Sequence, residues 1–539
     1  MEPQDMDAVG SLAAAVHRHA VATPSALAVA SAGRLLDYRQ LAGQASRLAG
    51  YLAAAPGWAV PGHGNDRPER PRVGVLASRS ADACIAVLGA AWAGATYVPL
   101  GPRLPDERLL AILSRCRLTA IVADAVGASR LDGRILHAAP PCVLALGSKP
   151  SDGATEERVQ WIDTDAPWDR QTIPAPTPMV ASDIAYIIFT SGTTGVPKGV
   201  MIPLRAARYY IRTITGMLGL APSDRAMESC DLTFDFSVHN MFSTWEAGAS
   251  LHLLPAARAM GAIRFARSNR LTVWNSVPSL AGLLRQVKAL APGVLPDLRL
   301  TVFGGEQLSW RTVQAWRAAA PQSAIWNLYG PTEATVFCMG LPLAGRAPMA
   351  DGRDVIAIGT AFPGSEAAVL DPQGRPVADG IAGELAIAGV QLASGYLNAA
   401  EQTAARFPTI DGRRWYLTGD LARRDPDGSF QWLARVDNQV KLLGHRVELE
   451  DVDAHLRVVA DADLVGTVAW PLADGDAQGL VAFYAGAVRD EAGIIATLKQ
   501  RLPPYMIPSR VVRLDRMPLN GNGKVDRRAL RQRLEEGLA

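Results

Sequence analysis

Through the first two-thirds of the chain, short uninterrupted apolar runs alternate with helical patterns. RVGVLAS (72–78), ATYVPL (95–100), TAIVAD (119–124) and IAYIIFT (184–190) each predict a strand buried on both faces. Ala- and Leu-rich segments with helical spacing lie between them. That alternation predicts parallel sheets with helical crossovers. The uncharged stretch from Ala83 to Pro102 is about as long as a membrane span. Gly89, Gly94, Thr96, Tyr97 and Pro99 interrupt it, so it reads as a helix, a glycine break and a strand. Residues 140–178, rich in Pro, Asp, Ser and Thr, read as a loop-like connection.

After about Gly383 the texture changes to short strands and turns, in GELAIAG, SFQWLAR and DNQVKLLG. A small α+β unit then closes the chain. Glu448 to Val459 has helical spacing, with Val452, Leu456 and Val459 on one face. DLVGTVAW and GLVAFYAG read as strands. Asp490 caps a helix whose Ile494, Leu498 and Leu502 share a face. The fold class is therefore α/β: a large N-terminal domain over residues 1–436 and a small α+β C-terminal domain over residues 437–539.

Length supports more than one domain, since 539 residues exceed a single hydrophobic core. A formal net charge of +2 gives no reason to expect nucleic acid as a partner. The basic stretch Arg510 to Arg533 reads as a solvated surface. Cys84, Cys116, Cys142, Cys230 and Cys338 are scattered, without a CxxC pair. That argues against a disulfide framework or zinc site and fits a reducing cytoplasm. The start, MEPQDMDAVG, lacks the basic-then-apolar order of a signal peptide. No membrane association is expected.

The strand IAYIIFT runs into SGTTGVPKG, residues 191–199. Small residues let backbone N–H groups and hydroxyls approach phosphate oxygens, and Lys198 adds charge. It is not a Walker A loop, because Pro197 precedes the lysine and Gly199 follows it. On its own, such a loop is equally a plain turn. Eight further motifs accompany it: WAGATYVPL (92–100), FDFSVHNMF (234–242), NLYGPTEAT (327–335), GELAIAGVQLASGYLN (383–398), YLTGDLAR (416–423), ARVDNQVKLLGHRVELEDVD (434–453), LPPYMIPS (502–509) and PLNGNGKVDR (518–527).

In this order, the nine motifs resemble the adenylate-forming superfamily of acyl-CoA synthetases, luciferases and nonribosomal peptide synthetase adenylation domains. The resemblance covers nearly the whole chain and departs locally at Gly101, where the family usually has Asp. It implies stacked α/β sheets, a small β-barrel-like subdomain and a mobile C-terminal domain. It also implies two half-reactions. A carboxylate attacks the α-phosphate of ATP to give an acyl-adenylate and pyrophosphate, and a thiol then takes the acyl group. A carboxylate is already a nucleophile, so the protein's task is to position two anions and offset their repulsion.

The resemblance also implies roles. Thr190, Ser191, Gly192, Thr193, Thr194 and Lys198 would close over the β/γ phosphates. Thr332 would bind the α-phosphate, and Glu333 would hold Mg²⁺, a hard cation that prefers oxygen ligands. Tyr329, with Gly330 beside it, would stack on adenine, and Asn327 would bond its edge. Gly304, Gly305 and Glu306 would line the nucleotide and substrate side. Asp420 would accept both ribose hydroxyls, supported by Arg435. Lys524 would be the catalytic lysine bridging substrate carboxylate and nucleotide. Asp437 matches the hinge, and rotation there would present Lys441 and Gly444 for the thiol step.

Asp235 matches the aspartate that pairs with the α-ammonium group in amino-acid-activating members. An unpaired buried charge is costly, so its presence predicts a cationic partner. The other pocket positions are Phe236, His239, Asn275, Val302, Gly304, Leu328, Val336 and Phe337. They most resemble a threonine-type pocket and depart from it at His239 and Phe337. Threonine is therefore the first expectation, with serine, homoserine and diaminopropionate open. Only 15 residues follow Lys524, and condensation motifs are absent. That leads to the expectation of a free-standing enzyme loading a separate phosphopantetheine carrier protein, with the basic C-terminal surface helping to dock an acidic carrier. The competing readings are an acyl- or aryl-CoA ligase, a D-alanine–carrier protein ligase, and an inactive nucleotide-binding homologue with a scaffold or sensing role.

Overall fold

The computed structural model describes residues 10–59, 69–148, 158–166, 168, 172–190, 197–255, 261–344, 354–436, 439–442, 444–473, 476–519 and 525–538. Two large sheets dominate. One has nine strands, with Leu300–Gly304 between Val273–Ser276 and Ala324–Tyr329. Those three run parallel, in register Asn275 to Val302 and Gly304 to Leu328. The other has eight strands, with Ile184–Thr190 between Thr96–Leu100 and Lys198–Pro203. The four apolar runs of the first two-thirds all form strands of this second sheet, at Arg72–Leu76, Thr96–Leu100, Ala120–Ala123 and Ile184–Thr190. One hydrophobic cluster takes residues from both sheets and from the helices Tyr38–Ala53, Ala81–Trp92 and Leu204–Met217, so the sheets share a core. The uncharged stretch resolves as expected into helix Ala81–Trp92, a turn at Gly94 with φ +70°, and strand Thr96–Leu100.

The reading of residues 140–178 as a loop is corrected. Cys142–Leu146 and Val159–Ile162 add two parallel strands at the end of the eight-stranded sheet. Pro- and Asp-rich flanks masked an apolar CVLAL run that is buried except at Cys142.

A five-stranded antiparallel sheet, from Ser365–Leu370 to Phe430–Arg435, forms the smaller subdomain. Beyond it, two small sheets and the helices Leu449–Ala460, Glu491–Lys499 and Arg527–Glu535 build cores drawn only from residues 440–534. Asp490 caps its helix as expected, accepting from the N–H groups of Ala492 and Gly493. Leu502 is buried but lies past the helix end at Lys499. The basic stretch departs from a purely solvated surface. Arg527 bonds Asp453 at 2.6 Å and pairs with Glu450 at 3.3 Å.

The C-terminal part is seated against the large sheets by a buried ion pair. Arg108 Nη1 lies 3.0 Å from Asp451 Oδ2, with side chains 7% and 0% exposed. Removing one partner of such a pair strands the other charge. On the helix Trp310–Ala319, Trp316 is fully buried against Trp274 and Phe303 of the nine-stranded sheet, and its Nε1 donates to Thr301 Oγ1 at 2.8 Å. Trp316→Ala is expected to lower unfolding free energy by about 3–5 kcal/mol, read from the midpoint of denaturant unfolding.

Candidate active site

The site lies where parallel strands end, the usual place for ligands on such sheets. Strand Ala324–Tyr329 delivers the chain through Gly330 into a single 3₁₀ turn, Thr332–Ala334. A Cβ at position 330 would fall 2.3 Å from the Val336 carbonyl oxygen, so only glycine fits. Thr335 and Val336 then take φ of +59° and +65°, a conformation that costs energy for non-glycine residues. The buried Gln391 amide holds this loop, donating to the Phe337 carbonyl at 2.8 Å and to those of Ala334 and Thr335 at 3.3 and 3.4 Å. Sequence reasoning missed Gln391, although it lies inside one of the nine motifs. A lone polar residue between apolar ones was the signal.

The loop fixes Glu333, which is 1% exposed. Tyr396 donates to its Oε1 at 2.8 Å, and Arg446 Nη1 reaches both carboxylate oxygens at 3.2 and 3.0 Å. Burial alone would raise the carboxyl, but the Arg446 charge, with hydrogen bonds from backbone and Tyr396, holds it below the usual range. An ionised carboxylate suits a hard cation. In this arrangement Arg446 reaches both of its oxygens, so the Glu333 charge is answered by an arginine of the C-terminal part.

Five of the residues expected at the nucleotide, Asn327, Tyr329, Glu306, Asp420 and Arg435, line one cavity of about 500 Å³, together with Lys441 from the expected thiol-step loop. Asp420 is 3% exposed, and both of its oxygens are engaged. Oδ1 accepts from Trp432 Nε1 at 2.9 Å and Arg435 Nη1 at 3.0 Å, and Oδ2 accepts from the Tyr329 hydroxyl. Burial opposes its charge, but Arg435 and Lys441 keep the carboxyl below its usual range. Asn327 donates to the Ala357 carbonyl at 2.8 Å, and its Oδ1 has no partner among the described residues.

Lys441 and Gly444 belong to a hairpin of Gln439–Leu442 and His445–Glu448 that enters this cavity. Lys441 Nζ lies 5.6 Å from the Tyr329 ring centroid. Gly444, with φ +83°, donates its N–H to Glu306 Oε1 at 2.5 Å, where a Cβ would meet Val277 at 2.7 Å. Burial raises the Glu306 carboxyl despite that bond. Thr190 and Lys198 face each other across the antiparallel strands that flank the phosphate-type loop. Lys198 is half-buried, 5.9 Å from the Tyr396 ring, and burial lowers its ammonium pKa. Ser191, Gly192, Thr193, Thr194, Asp437 and Lys524 lie outside the described residues.

Asp235 begins a short helical turn that continues into a π-helical segment, His239–Ser243. Such segments frequently mark functional sites. Asp235 is buried, and its Oδ2 has no partner among the described residues. Burial pushes its carboxyl up to about 7, against the opposing pull of Thr332 and Lys441 and with Glu333 adding to the rise. Phe236, Phe337 and His239 pack edge to face with centroids 4.9–5.8 Å apart. A Cβ at Gly304 would fall 2.5 Å from Phe337 Cζ, so this glycine makes room for the ring. Val302, Leu328 and Val336 are buried beside them, and Gly305 turns with φ +88°. Asn275 is buried, and its Oδ1 also lacks a partner among the described residues.

Residues 16–397 match the AMP-binding enzyme family. The chain belongs to that family. Its fold is that of the adenylate-forming superfamily. Phosphinothricin tripeptide synthetase PhsC of Streptomyces viridochromogenes is 36% identical over 535 residues, covering 97% of this chain and 44% of PhsC. The chain thus spans less than half the length of that relative. The adenylation domain AlmE of Vibrio cholerae, solved with glycyl-adenosine-5'-phosphate, superposes with a TM-score of 0.84 at 29% identity, covering 97% of this chain and 98% of AlmE. Holo-PA1221, a nonribosomal peptide synthetase protein containing adenylation and PCP domains, superposes with a TM-score of 0.78 at 26% identity, covering 98% of this chain and 85% of that one. Among the described residues, no helix is long and apolar enough to cross a membrane.

The raised carboxyl of Asp235 has a consequence for the empty protein. Between pH 4 and 7 the unfolded chain ionises this group while the folded protein keeps it protonated. Its contribution therefore falls as pH rises through that window and is flat above it. Asp235→Asn is expected to match the parent near pH 4 and to melt several degrees higher at pH 8, by thermal unfolding without ligand.

Proposed function

We propose that this chain activates a small polar α-amino acid, threonine first, to its aminoacyl-AMP with release of pyrophosphate. It then passes the acyl group to the phosphopantetheine thiol of a separate carrier protein in the cytoplasm. One observation carries the reading. A buried carboxylate oxygen of Asp235, without a partner among the described residues, sits beside Thr332 and within the field of Glu333. A substrate ammonium supplies the missing charge there and directs its own carboxylate toward the nucleotide side. An acyl- or aryl-CoA ligase has no such use for the group. The glycyl-adenylate bound by AlmE supports a small amino acid.

In this reading, ATP binds with Tyr329 and Asn327 on adenine and Asp420 and Arg435 on ribose. Thr190, Ser191, Gly192, Thr193, Thr194 and Lys198 take the phosphates. Glu333 would hold Mg²⁺ once Arg446 has moved, and Lys524 would stabilise the charge developing at the α-phosphate. The division at residues 436 and 437, with Asp437 as hinge, lets the C-terminal domain alternate. The arrangement seen, with the Lys441–Gly444 hairpin in the cleft, suits the thiol step. A second cavity of about 410 Å³, bordered by Phe234, Val277, Ser279 and His445, supports a route for a phosphopantetheine arm. The PCP domain of PA1221 supports a carrier as acceptor.

Amino-acid-dependent ATP–pyrophosphate exchange tests the reading. Exchange with threonine or another small polar amino acid is expected, and its loss in Asp235→Ala. Silence across the proteinogenic set and with homoserine and diaminopropionate, or equal use of free CoA as acceptor, would refute it. Substrate binding requires ionised Asp235, so KM for the amino acid is expected to rise about tenfold for each pH unit below about 7. Arg108→Ala, which releases Asp451 at the domain contact, is expected to slow carrier loading about tenfold or more while exchange stays within about twofold. Loading is read in single-turnover assays with a holo carrier protein.

A further inference from the structure

Behind His239, the pocket is shaped by a residue that none of the nine motifs contains. Tyr210, fully buried on the helix Leu204–Met217, places its hydroxyl 2.7 Å from His239 Nδ1. Tyr210 has no other hydrogen-bond partner among the described residues. A buried O–H left without an acceptor is costly, whereas an unused hydroxyl lone pair is cheaper. Tyr210 therefore donates its proton to Nδ1. Burial pushes the phenol well above its ordinary pKa, so it keeps that proton. Burial also pushes the imidazole down to about 3, so the ring is neutral and carries a single N–H. With Nδ1 accepting, that hydrogen is on Nε2. The π-helical turn fixes the ring further, since Ser243 Oγ bonds the His239 carbonyl at 2.5 Å.

Nε2 has no partner among the described residues, and the ring edge packs against Phe236 and Phe337. The three rings, with Phe337 pressed against Gly304, crowd this end of the pocket and favour a short side chain. Asn275 adds an enclosed amide oxygen that accepts a hydrogen bond. A side-chain hydroxyl satisfies both groups, accepting from Nε2–H and donating to Asn275 Oδ1. A side-chain ammonium has no lone pair and would point its protons at Nε2–H.

Resting on the amino-acid reading above, we propose that Tyr210 is a positioning residue that fixes His239 as a hydrogen-bond donor, making the pocket selective for a short hydroxyl-bearing side chain over an amine-bearing one. The discriminating pairs are L-serine against L-2,3-diaminopropionate, and L-threonine against L-valine.

ATP–pyrophosphate exchange with these four amino acids tests this in the full chain. The wild type is expected to favour serine over diaminopropionate by about a hundredfold or more in kcat/KM. Tyr210→Phe frees the imidazole tautomer, and the preference is expected to narrow about tenfold, chiefly through a higher KM for the hydroxyl substrates. A Tyr210→Phe variant that exchanges with its preferences unchanged would overturn the proposal. A second measurement needs no variant at Tyr210. In ¹⁵N-histidine spectra of the wild type, the resonance lost in His239→Gln should show an unprotonated Nδ1 and a protonated Nε2. The reverse tautomer would overturn the proposal. Equal use of serine and diaminopropionate by the wild type would overturn this inference alone. Exchange with none of the proteinogenic set, homoserine or diaminopropionate would remove the amino-acid reading and this inference with it.

Discussion

Four carboxylates, Asp235, Glu306, Glu333 and Asp420, are buried around the ends of the parallel strands, and the site is organised by what answers their charge. Burial opposes ionisation at all four. Glu333 and Asp420 are nevertheless held charged because arginines reach them directly, Arg446 for one and Arg435 for the other. Glu306 is bound by backbone N–H groups, and Asp235 keeps an oxygen with no described partner. The gradient runs from charges answered by arginine, at Glu333 and Asp420, to the unanswered oxygen of Asp235.

Much of the compensating charge comes from the C-terminal hairpin. Lys441 and Arg446 enter a cleft whose acidic walls come from the nine-stranded sheet, with Glu306 and Glu333, and from the five-stranded sheet, with Asp420. Arg446 lies against both carboxylate oxygens of Glu333, and Lys441 Nζ lies over the Tyr329 ring. The buried Arg108–Asp451 pair adds a second tie between the C-terminal part and the large sheets.

Secondary structure was most legible in runs buried on both faces and free of breakers around them. Runs such as IAYIIFT and RVGVL carry no polar face, and little else accommodates them. The same rule identifies Cys142–Leu146, but its Pro- and Asp-rich surroundings outweighed five residues of pattern. The nucleotide-side residues were legible because each lies in a short motif whose spacing is local. Gln391, Tyr396, Trp432 and Arg446 were not assigned roles, although each lies in or near a motif. Their functions exist only through partners 10 to more than 100 positions away.

The sequence by itself determined the family, the alternation of strands and helices, and which residues could carry charge to the reacting groups. Those follow from local patterns, set by backbone geometry and side-chain chemistry within a few positions. Only the tertiary structure decided which of those charges are answered. Arg446 on Glu333, Tyr329 on Asp420 and Tyr210 on His239 are contacts between distant segments, and protonation and hydrogen-bond polarity depend on burial and on neighbours that no local stretch specifies.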